Sequence, residues 1–264
     1  VRLIGRLVVT LLSLVVLAAA VYGGSRALDW AQSRDALGLL ARDPVQPVRL
    51  TTLDSHTRAV AGRPWFGDYF TTMVFTRSEG GASAPSAIVA KWEQPTVTVK
   101  MLNDGGPGIR SYLRLLVRRL DRLQKQVRFR VGEVHPLITV QFLDHDTYVR
   151  RNGTGSVGNT RTRYYAGSPG LIRARITVDV GVQTSPDEVK STLIHELTHA
   201  IGAGGHFVSP ADRRRSVMYE ANTLTNWSQN DAAVIRILYS PVIRSGMSPA
   251  DARAALRRYA RAEQ

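Results

Sequence analysis

The chain has no cysteine among its 264 residues. Disulfides, thiolate metal ligands, zinc fingers and a cysteine nucleophile are therefore excluded. Acidic residues are scarce: 21 Asp and Glu stand against 35 Lys and Arg, a net charge of +14. That excess fits either a solvated surface or an anionic partner such as a bacterial envelope polymer. The densest basic stripe is Arg110, Arg114, Arg118, Arg122 and Lys125. Its face carries no aromatic residue for base stacking and has no partner helix to read a groove. With no nucleic-acid motif elsewhere, no nucleic-acid partner is expected. No internal repeat is visible.

What is present begins at the N-terminus. Arg2 and Arg6 precede Leu7 to Tyr22, sixteen residues without a charge. A basic start, an apolar run and the small residues Ala18, Ala19 and Ala20 fit a signal peptide. A snorkelling Arg6 also lets the run act as an uncleaved signal anchor. Either reading of residues 1–24 makes the rest membrane-anchored or secreted, on the outer side of the cytoplasmic membrane. Residues 25–86 read as a juxtamembrane or linker region without an assignable role. Within it "TTMVFTR" (71–77) reads as a strand and "SEGGASAPS" (78–86) as a small-residue loop.

Regular patterning starts near Ala87. Val97, Val99 and Met101 alternate with Thr96, Thr98 and Lys100, which predicts a strand over 95–102. "NDGGPG" (103–108) predicts a turn, and apolar residues at 3.6 spacing predict an amphipathic helix over 109–127. Strands are expected at 137–144 and 173–180, with a long loop or hairpin over 150–170. His135 and His145 flank the 137–144 strand and read as structural.

"TSPDEVKSTLIHELTHAIGAGG" contains a helix start: Ser185 as cap, Pro186 at the first position and Glu188 completing a capping box. Gly202, Gly204 and Gly205 end it. His195 and His199 lie four apart, so they project from one face and can share a metal ion. Glu196 sits about 100° round the helix, out of the ligand set. It can instead take a proton from a water that zinc has activated. A catalytic zinc needs a third protein ligand. His206, beyond the glycine turn, is the natural candidate; Glu220 is the rival, and Asp212 comes third.

These residues, His195-Glu196-Leu-Thr-His199-Ala-Ile-Gly202-Ala-Gly-Gly-His206 followed by Ser216-Val217-Met218-Tyr219, resemble the metzincin clan of zinc metallopeptidases, in its bacterial matrixin-like form. The resemblance implies an α+β zincin-like catalytic domain over 87–243. It would have a twisted, mostly parallel sheet, two long helices and a methionine turn. Apart from the resemblance, the tail at 244–264 reads from its own residues as a C-terminal basic helix, capped by Ser248 and Asp251. The resemblance also implies one zinc ion on His195, His199 and His206, Glu196 as general base, and Met218 in the turn beneath the metal. Tyr219 is a candidate oxyanion or fifth-ligand residue. His206 stands one residue later than the usual family spacing, which falls on Gly205. The implied activity is extracytoplasmic zinc-dependent hydrolysis of peptide bonds in a protein or peptide substrate. The alternatives are a membrane-anchored binding protein for anionic envelope polymer and a zinc amidase acting on cell-wall peptide.

Overall fold

A computed structural model describes residues 55–75, 88–164 and 170–261. The apolar run at 7–22 and the loop at 78–86 lie outside these residues. Among the described residues no helix is long and apolar enough to cross a membrane.

The centre is a five-stranded sheet of mixed α/β architecture. Its strands are β1 (Thr96–Met101), β2 (Arg128–Val131), β3 (Ile138–Leu143), β4 (Gly158–Tyr164) and β5 (Leu171–Asp179), in the order β2-β1-β3-β5-β4. The first three pairings are parallel, and β4 alone runs antiparallel, against β5. The sheet is thus mostly parallel, as expected. Val97, Val99, Ile138, Val140, Ala174 and Ile176 are buried, so alternation along each strand turns one face into the core.

Two long helices accompany the sheet, α3 (Ile109–Leu123) and α5 (Pro186–Ala200), and both elements were expected. The first is shorter than the 109–127 reading: Gln124 is already extended, because its side chain accepts from the backbone of Gln126 and Val127 and turns the chain into β2. A short helix α4 (His145–Asn152), capped by Asp144, follows β3. The C-terminal part holds a 3-10 turn (Pro210–Asp212), α6 (Gln229–Leu238) and α7 (Pro249–Arg261).

The N-terminal side corrects the sequence reading. Residues 55–75 form α1 (Ser55–Ala61) and α2 (Phe66–Phe75), so 71–75 is helix rather than strand. Phe66, Tyr69, Phe70, Met73 and Val74 fall at helical spacing and are all buried. These helices pack against α7 and belong to the same compact unit as the sheet, so this part of 25–86 is not a linker. Tyr69 donates to Asp231 Oδ1 at 2.8 Å and lies near the Arg215 carbonyl at 3.0 Å.

The C-terminus of α5 is anchored at its last carbonyls, which a helix leaves without internal partners. Trp92 Nε1 donates to the Ala200 carbonyl and the Tyr239 hydroxyl to the Ile201 carbonyl, both at 2.8 Å. Gly202 then takes φ 104°, and a Cβ there would strike the Ala90 carbonyl. Only glycine meets both conditions.

Candidate metal centre

The helix start read from the sequence is present in full: Ser185 Oγ accepts from Glu188 N, and Glu188 reaches back to Ser185 N. It fixes the register of α5 and with it the direction of His195 and His199. The Nε2 atoms of His195, His199 and His206 converge, at 3.1 Å (195 to 199), 2.8 Å (195 to 206) and 3.0 Å (199 to 206).

The outer nitrogens of two rings are tethered. His195 Nδ1 meets the Val217 carbonyl and His199 Nδ1 the Ala203 carbonyl, each at 2.8 Å. A carbonyl only accepts, so both Nδ1 atoms carry the hydrogen and both Nε2 atoms present lone pairs to the shared point. His206 Nδ1 is buried and has no hydrogen-bond partner among the described residues. At most one hydrogen, from His206, can sit among the three Nε2 atoms. A cation satisfies all three at once, so the donor set fits a metal ion.

Electrostatics agree with that use. Burial, with His206 close by, pulls His195 down to about 4. Burial and the two neighbouring rings hold His199 well below the ordinary histidine range. Burial lowers His206 too, opposed by the charge of Glu220. All three rings are therefore neutral at pH 7, the form that binds metal.

The loop carrying His206 is held from both sides. Gly204 N and Gly205 N donate to the carbonyls of Val74 (3.3 Å) and Met73 (2.9 Å) at the end of α2. Phe207 N donates to the Met218 carbonyl at 2.8 Å, and the Phe207 ring stacks on Tyr69. Met218 is fully buried in the core. Asp231 accepts from Ser216 Oγ (2.7 Å) and Val217 N (3.0 Å), fixing the segment whose Val217 carbonyl orients His195.

Glu196 stays outside the histidine cluster and reaches the sheet. Its Oε2 accepts from Thr160 Oγ1 on β4 at 2.7 Å. Burial pushes its carboxyl up to about 7, with the Thr160 hydrogen bond pulling the other way. A carboxyl near neutrality can take and return a proton at working pH. Space for it depends on Gly158: a Cβ there would overlap Glu196 Oε1 and lie 2.7 Å from Thr192 Cγ2. Gly158→Ala is therefore expected to displace the carboxylate and lower stability by about 1–3 kcal/mol, read by urea unfolding. An unchanged midpoint would show that β4 does not press on Glu196.

The other sequence candidates are placed as follows. Glu220 is exposed and Asp212 lies in the 3-10 turn; neither joins the histidine cluster. Tyr219 is partly buried against the core and pairs with Phe207 through the backbone; its hydroxyl makes no hydrogen bond among the described residues. His145 Nδ1 pairs with buried Asp179 at 2.7 Å, and His135 takes φ 46°. Neither belongs to the cluster. Sequence reasoning missed Gly158, Thr160, Tyr69 and Asp231. Asp231 had a local signal, as the N3 partner in the Ser228 capping box; the others act only through long-range contacts.

Residues 66–258 match the family described as "Protein of unknown function (DUF2927)". No curated protein matches the sequence. A solved structure titled "Structure of Myroilysin" is similar over 65% of this chain and 93% of that chain, at 15% identity and a TM-score of 0.38.

Proposed function

The chain belongs to that family of unknown function, and from this premise we propose that it is a zinc-dependent endopeptidase of metzincin type, acting outside the cytoplasmic membrane. One observation carries the reading: three Nε2 atoms converge within 3.1 Å of one another, two from the helix that also carries the buried Glu196 and the third, from His206, on the loop beyond it. His195, His199 and His206 would hold the zinc. A zinc ion so held supplies Lewis-acid polarisation of a carbonyl and lowers the pKa of water.

The chain's own residues do the rest. The Val217 and Ala203 carbonyls fix two rings in the ligating tautomer. Glu196 takes a proton from the attacking water at its carboxylate and returns it to the leaving amine. Thr160 holds that carboxylate through Oε2 and ties it to β4. β4 ends the sheet order among the described residues, so its outer edge is open to an extended polypeptide. The extracytoplasmic setting rests on the apolar segment at 7–22. The intact Glu196 favours hydrolysis over a pure binding role, which has no use for a base.

The test is a screen of the full chain against fluorescence-quenched peptides. Cleavage lost to a chelator and restored by zinc is the expected result. Stable zinc binding with no cleavage of any peptide would move the protein to the binding reading.

A further inference from the structure

β4 and β5 carry four arginines in two facing pairs. Arg161 lies opposite Arg175 and Arg163 opposite Arg173. All four are exposed, and alternation puts them on the sheet face away from α5, since Thr160 on the other face touches Glu196. Like charges directly opposite one another destabilise a sheet. No carboxylate pairs with any of the four among the described residues; Arg161 is held instead by the Arg151 carbonyl at 2.8 Å. Charges on an edge strand commonly guard against unwanted strand pairing. That explains Arg161 and Arg163 but not Arg173 and Arg175, because β5 is an interior strand between β3 and β4.

We propose that the outer edge of β4 takes acidic polypeptide segments, whose alternate carboxylates pair with Arg161 and Arg163 and are reinforced by Arg173 and Arg175. A strand added to β4 places every second side chain on the arginine-bearing face. Arg161 and Arg163 are themselves two residues apart, so their spacing matches Glu or Asp at alternate positions. The same edge borders the general base through Thr160 and Gly158, so the arginines select what reaches it. The inference names the substrate class of the hydrolase read above and rests on that reading.

The experiment measures binding apart from hydrolysis. Fluorescence anisotropy on the full-length Glu196→Gln protein compares short Glu-Thr, Gln-Thr and Lys-Thr repeat peptides. The Glu-Thr peptide is expected to bind about tenfold more tightly than the Gln-Thr peptide, an advantage that shrinks with salt. The double change Arg161→Gln/Arg163→Gln should erase it, and Arg114→Gln/Arg118→Gln on α3 should leave it intact. Equal binding of the three peptides, no binding of the Glu-Thr peptide, or equal loss in the α3 variant would overturn the inference. So would displacement by single-stranded nucleic acid as effective as by acidic peptide. The unmodified protein is assayed for cleavage in parallel. Cleavage without charge preference would sink the inference and leave the hydrolase reading. Acid-selective binding without cleavage would do the reverse.

Discussion

Replacing Glu196 with Gln is expected to cut peptide hydrolysis by about 10²–10⁴-fold while leaving metal binding in place. Gln keeps the length and can still accept from Thr160, but it cannot take a proton. The same change should alter stability in the opposite sense. In the metal-free protein burial raises the Glu196 carboxyl from 4.5 to about 7. The folded state then binds this proton more tightly than the unfolded state does. Stability is therefore lost as pH rises from about 4.5 towards 7, by on the order of 3 kcal/mol. Gln does not titrate, so metal-free Glu196→Gln should be the more stable protein at pH 8, and the two should converge below pH 4.5. Urea unfolding at both pH values reads the difference. A variant no more stable at pH 8, or one that still hydrolyses peptide at the original rate, would remove Glu196 from the proposed role.

The second large effect falls on the third ligand. His206→Ala should weaken zinc binding by more than the roughly 10–100-fold that changes to outer-shell partners cost. Two tethered imidazoles would remain, too few for a closed set of protein ligands. Glu220→Ala removes an exposed carboxylate outside the cluster and should change affinity little. Competition with a chromophoric chelator separates the two variants. A larger loss with Glu220→Ala would put the glutamate, rather than His206, on the metal.

How far the sequence reveals this arrangement depends on how local each signal is. The capping box, the four-residue spacing of His195 and His199 and the glycine stop lie within one short segment, and all are readable there. The strands with a buried face, β1, β3 and β5, are readable from alternation. β2 and β4 are not. β2 buries only Phe129, and β4, at the edge of the sheet, buries no residue fully, so neither shows an apolar period. α2 was misread because a window from Thr71 sees β-branched and aromatic residues, while its helical face begins at Phe66. The links from Thr160 to Glu196 and from Tyr69 to Asp231 join residues 36 and 162 positions apart. No sequence window holds both ends of either, so the support of the site became visible only in the fold.

The central claim is that three histidines form one metal site, and zinc absorption spectroscopy on the full chain tests it most directly. The account predicts one tightly held zinc per chain, with three imidazole nitrogens at about 2.0–2.1 Å. A chain that binds no zinc, or whose zinc is held by fewer than three imidazoles, would contradict it.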